Sequence, residues 1–235
     1  MAQTRKQERR NQQAEAQARN ATARAAAAKA ARRRKAIMTA LAAGGGVAVV
    51  AAIAVPLATG AFSGDDLPDV RVEGRTTPPP WPAPAHPLGA AKEVGLRVSA
   101  MEGAELHFHS HLDILVDGKK VAVPGNIGID TEQGQLSELH THDERGVIHV
   151  EAPDKGHRYV LGQLFAEWDV RLDETHIGGL TAEDGKTLRA YVGGKQVDGD
   201  PADIELKPHQ EIALVFGAAD AKVDVPKSYR FQEGE

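Results

Sequence analysis

The chain has 235 residues and no cysteine, which excludes disulfide staples and thiolate ligands and limits any metal site to nitrogen and oxygen donors. Its net charge of −5 hides two regions: residues 1–35 carry eleven Lys and Arg against Glu8 and Glu15, or +9, and the other 200 carry seventeen against thirty-one, or −14. The basic region has no interleaved aromatic and no recognition motif, so a nucleic-acid partner is not expected.

Residues 1–35 are rich in Ala, Gln and Arg and form a good helix former without an apolar stripe, read as a basic cytoplasmic arm. Residues 36–62 then run without a charged side chain. That is enough for one transmembrane helix, which needs about 20 residues. Arg32, Arg33, Arg34 and Lys35 stand directly before it, and positive charge stays on the cytoplasmic side. The expected topology is a single-pass cell-membrane protein with its acidic C-terminal part outside the cytoplasm. A signal peptide cut near Ala61 is the competing reading, but its apolar core is usually about 7–15 residues, and the longer stretch favours a retained anchor. The expected partners are the membrane, through that helix, and an envelope protein.

Residues 63–91 read as a Pro-rich linker, with six prolines between Pro78 and Pro87 around Trp81. Such a stretch favours extended polyproline geometry that holds the next domain away from the membrane. Residues 92–235 contain the apolar patterning of a folded extracytoplasmic domain, long enough to bury a core without disulfides.

Six of the ten histidines fall between residues 107 and 149. His107, His109 and His111 alternate, as do His140 and His142, with His149 close behind. On a β-strand a spacing of two sends every member to one face. Over 106–116 the other alternating set, Leu106, Phe108, Ser110, Leu112, Ile114 and Val116, reads as the core face. The histidines and Asp113 therefore belong to the opposite face. Asp117-Gly118 marks a type I′ hairpin turn. A second hairpin over 143–146 places His140 opposite His149 and Glu138 opposite Glu151, and gathers imidazoles and carboxylates on one surface. His107, His109 and His111 cannot all hold one ion, since i to i+4 spans about 13 Å on a strand. Two neighbours from that strand, joined by donors from the second hairpin, can.

Downstream, Leu161, Leu164, Phe165 and Trp168 follow the spacing of an amphipathic helix over about 160–169. Strands are expected over 188–192, 195–197 and 211–216, with 204–206 between them. The expected fold class is α+β: a transmembrane helix, then a β-rich domain of hairpins with one short packed helix in a β-grasp-like arrangement.

Neutral imidazole is the commonest protein ligand for first-row transition metals. The expected function is an extracytoplasmic module binding divalent Cu or Zn through His107, His109, His111, His140, His142 and His149, with Asp113, Glu138 and Glu151 as ligands or partners of ligands. A metal-dependent envelope enzyme and a nonmetal adaptor are the alternatives. An enzyme would need an open coordination position and a base such as Glu138, Glu151 or Asp143. The cupin pattern also starts with His-x-His, but Asp143-Glu144 follow His142 at once, where cupins place a glutamate four or five residues on. No Gly-rich phosphate loop is present.

From His107 to Gly217 the chain resembles an uncharacterised group of bacterial membrane-anchored proteins. The resemblance rests on His-x-His-x-His, on Leu139-His140-Thr141-His142-Asp143 with Gly146-Val147-Ile148-His149-Val150-Glu151, and on Leu161-Gly162-Gln163-Leu164-Phe165 with Trp168. It covers under half the chain, leaves the N-terminal arm and anchor outside it, and brings no established activity.

Overall fold

The computed structural model describes residues 67–235. The basic arm and the spanning helix expected over 36–62 lie outside the described residues.

The described chain runs β1 (Val98–Ser99), β2 (Leu106–Val116), β3 (Lys119–Val121), β4 (Ile129–Asp130), β5 (Gln135–Ser137), β6 (Leu139–His140) and β7 (Val147–Ala152). Then follow the helix α1 (Leu161–Trp168), β8 (Leu172–Asp173), β9 (His176–Ile177), β10 (Leu180–Thr181), β11 (Lys186–Val192), β12 (Lys195–Val197) and β13 (Glu211–Ala218). A seven-stranded sheet takes the order β12-β11-β13-β2-β7-β6, with β3 also paired to β2. Two three-stranded sheets, β1-β5-β4 and β10-β9-β8, stand apart from it.

β2 is the centre of the large sheet. Residues 111–116 pair in parallel with β13, while residues 106–111 pair antiparallel with β7. Asp117 and Gly118 both take positive φ, as a type I′ turn requires, and return the chain into β3. Gly193 and Gly194 do the same between β11 and β12. Leu112, Ile114, Ile148, Val150, Leu214 and Phe216 bury one face against α1. That helix contributes Leu161, Leu164, Phe165 and Trp168, all fully buried, as the apolar spacing predicts. Gln163 starts it by accepting the Val160 backbone N–H at 3.0 Å, and left-handed Asp169 stops it.

The α+β expectation is corrected. The described residues form a β-rich domain whose one α-helix has eight residues, and none of their helices is long and apolar enough to cross a membrane. The apolar stripe lasts only two turns, after which the period returns to two. The β-grasp-like arrangement goes with it, because two accessory sheets and the added strand β6 surround the central pair. The strand expected over 204–206 reduces to a single bridge, Val160 to Glu205, since a 3₁₀ turn at Pro201–Asp203 leads directly into it.

The described part of the Pro-rich segment, from residue 67, packs on the domain and does not stand clear of it. Val72 bridges Leu172, Arg75 bridges Val170, and Trp81 is 2% exposed. Trp81 meets Trp168 edge to face at 6.0 Å between ring centroids, and its indole N–H donates to the Thr77 carbonyl at 2.8 Å. Burying so large an apolar ring with its one donor satisfied outweighs the extended preference of the prolines.

Candidate metal centre

Strand register brings the histidines together. In the β2–β7 pair His109 lies opposite His149 and His107 opposite Glu151; in the β6–β7 pair His140 lies opposite His149. His109, His149 and His140 thus form one row across three adjacent strands, on one sheet face, because directly opposed residues share a face. The second-hairpin register is the one the alternation predicts. Strand spacing near 4.8 Å then sets the ring spacing. The His140 and His149 rings stack at 5.2 Å, and His142 meets His149 edge to face at 4.5 Å.

Much of this face is buried. His140, His109 and Glu151 are buried, while His149 is half-buried and His142 and His107 are exposed. The row is therefore sunk on one side and open on the other, which leaves an entry path.

One hydrogen bond fixes the chemistry of the deepest ring. His140 Nδ1 lies 2.9 Å from the Ser137 carbonyl oxygen, which can only accept, so Nδ1 carries the proton and Nε2 holds the lone pair. That Nε2 is 3.2 Å from His142 Nε2. Two nitrogens bound to one tetrahedral Zn at about 2.0–2.1 Å stand about 3.3 Å apart. One ligand atom from each of His140, His142 and His149 falls within 4.8 Å of the others, as it does in the set His107, His109 and Glu151 and in the set Glu102, His140 and Glu151.

Gly128 explains how His140 reaches so deep. It has φ +69°, and a Cβ there would stand 2.4 Å from the Leu139 carbonyl and 3.2 Å from the His140 Cβ. Only glycine allows this close approach.

Burial holds the His109 and His140 imidazoles down to about 4, with neighbouring histidine rings adding to it and the Ser137 carbonyl opposing it at His140. Burial, then His149, lowers His142 as well. At Glu151 burial opposes ionisation, but the hydrogen bond with His149 and the positive ends of His140 and His107 prevail and lower it. At neutral pH His109, His140 and His142 are therefore neutral imidazoles beside the Glu151 carboxylate, the state that coordination requires.

A stability consequence follows for the metal-free protein. Between pH 6.5 and about 4 the unfolded chain takes up protons at His109 and His140 that the folded chain refuses. The stability is thus fully present above 6.5 and lost as pH falls to about 4. The His140 contribution alone is roughly 3 kcal/mol. Thermal denaturation in chelator should show Tm falling across that window; an unchanged Tm from pH 7.5 to 4.5 would contradict these protonation states.

His111, Asp113 and Glu138 stand elsewhere. His111 has other partners, with Nδ1 2.8 Å from Glu211 Oε2, Nε2 2.8 Å from the Arg145 carbonyl, and Tyr229 stacked on its ring at 3.8 Å. Gly146, at φ +84°, makes room for it; a Cβ there would lie 3.3 Å from His111 Nε2. His111, Asp113 and Glu211 also have donor atoms close enough to surround an ion, but Lys120 Nζ already stands 2.5 Å from Asp113 Oδ1. Glu138, though beside Glu151 along the backbone, turns its carboxylate to Arg97 at 2.5 Å and to the Tyr159 hydroxyl at 3.2 Å. His111→Ala should therefore destabilise the fold by about 2 kcal/mol, by leaving a buried carboxylate without its partner, and leave zinc affinity within about threefold of wild type. Denaturant unfolding and a zinc titration on the same variant check both halves.

Sequence reasoning misses Glu102, Glu211 and the Ser137 carbonyl. Glu102 sits in the loop before β2 with no periodic signal, and Glu211 meets His111 only through a parallel pairing with β13. Beside the centre is a cavity of about 350 Å³ lined by Glu102, Glu138, Glu151, Met101, Leu136 and Arg97, among others.

No family model, curated protein or solved structure matches the chain.

Proposed function

We propose that the protein binds a divalent transition metal ion, Zn(II) or Cu(II), with His140, His142 and His149 as its principal ligands. The observation that carries this is the pair of Nε2 atoms on His140 and His142, 3.2 Å apart, one of them oriented by the Ser137 carbonyl. An imidazole whose other nitrogen is fixed by a backbone carbonyl is the arrangement that orients metal-bound histidines. A surface that only titrated would gain nothing from burying His140 completely. The donor set, all nitrogen with nearby carboxylate and no sulfur, suits Zn(II) and Cu(II) alike.

A second reading, a metal-dependent enzyme, draws on the cavity at Glu102 and Glu151, which adjoins the histidine row. In it the carboxylate of Glu102 or Glu151 would act as base on a metal-bound water.

Elemental analysis after zinc or copper loading and exhaustive desalting of the full-length chain tests the main reading. At least one equivalent should remain in the wild type and most of it should be lost from the His140→Ala/His142→Ala variant. Retention of less than about a tenth of an equivalent by the wild type would contradict it.

A further inference from the structure

The ion proposed above uses His140, His142 and His149 and leaves a second donor set beside it unassigned. His107 and His109 come from β2 and Glu151 from β7, with donor atoms within 4.8 Å of one another. The two sets touch: His109 Nε2 is 3.0 Å from His149 Nδ1.

Glu151 joins them. Its Oε1 is 3.4 Å from His107 Nε2 and 3.3 Å from His149 Nδ1, and its carboxylate also falls within the set formed with Glu102 and His140. The residue is 4% exposed, yet its Oε2 is buried without a hydrogen-bond partner. A buried carboxylate oxygen left unpaired is destabilising, because it has lost water and gained nothing. A cation beside it removes that cost. The neighbours of this carboxylate are imidazoles, which are themselves ligands.

We infer that this sheet face holds two divalent transition metal ions, the second on His107 and His109, with Glu151 bridging it to the first. The inference rests on the reading of the first ion. A carboxylate shared between two ions places them about 3.5–4 Å apart, the spacing of two-metal centres, and the histidine row, on strands about 4.8 Å apart, presents ligands to both. Glu102 supplies a second negative charge at the same place and offsets part of the repulsion between the ions. His107 is exposed and Glu151 is shared, so the second ion binds more weakly than the first.

The test uses the full-length chain, stripped with chelator, loaded with excess Zn(II) or Cu(II) and desalted. Elemental analysis should give two ions per chain for the wild type and one for His107→Ala, an exposed position where folding is undisturbed. The copper form should show an electron paramagnetic resonance intensity well below its bound copper, because adjacent Cu(II) ions couple. Glu151→Gln should retain one ion and restore the full single-ion intensity. One ion in both wild type and His107→Ala would overturn the second site while leaving the first reading intact. No bound ion in the wild type would overturn the first reading and this one with it. Two ions in the wild type and also in His107→Ala would overturn the ligand assignment.

Discussion

His140→Ala is expected to lower zinc or copper affinity by about 100-fold or more, the largest functional effect of any single change in the domain. Among the three proposed ligands, its ring is the one held by a backbone carbonyl, Ser137 O at 2.9 Å, and its Nε2 faces His142 Nε2 at 3.2 Å. Removing it deletes both a ligand and the orientation of the pair. Because His140 is fully buried, the variant also loses packing. His142→Ala separates the two effects: that ring is exposed, so the variant should keep its unfolding midpoint and still lose affinity. The double variant should lose less than the sum of the two singles, since the first substitution has already broken the shared site. Additive losses in calorimetric titration would mean that the two rings do not act on one ion.

Trp81→Ala should destabilise the domain by about 3–5 kcal/mol, the usual cost of truncating a large buried aromatic. The indole is 2% exposed, packs edge to face on Trp168 and donates to the Thr77 carbonyl. It also fills the space over Gly178, where a Cβ would stand 2.3 Å from the indole nitrogen. A residue in a free linker would cost nothing measurable. Denaturant unfolding of the full-length chain distinguishes these outcomes, and a change below about 1 kcal/mol would return the Pro-rich segment to the status of a linker.

The features that the sequence shows most clearly are local. Alternation over 139–151 sets the pairing of His140 with His149, because a slip of one residue would send every side chain to the wrong face. Asp117-Gly118 and Gly193-Gly194 announce their hairpins through a requirement for positive φ. Leu161, Leu164, Phe165 and Trp168 announce α1 to within a residue at each end. What is not legible depends on long-range contact. Alternation divides β2 into two faces but does not say that both are buried. The histidine face is closed partly by the C-terminal segment, where Tyr229 stacks on His111 and Glu235 pairs with Arg145 at 2.5 Å. Glu211 reaches His111 across 100 positions through a parallel pairing with no turn to fix its register. Trp81 carries no signal that separates a buried anchor from an aromatic in a proline-rich tether. The nine candidate ligands consequently divide three ways: six of them, His107, His109, His140, His142, His149 and Glu151, meet on one face. His111 and Asp113 lie with Glu211, and Glu138 turns to Arg97.

In the proposed site, folding brings the ligands together from histidines on separate strands. Calorimetric titration of the chelator-stripped full-length chain with Zn(II) at pH 7, folded and again in denaturant, tests it most directly. The folded chain should bind at least about 100-fold more tightly than the unfolded one, which carries the same histidines without their register. Equal affinity in the two states would contradict it.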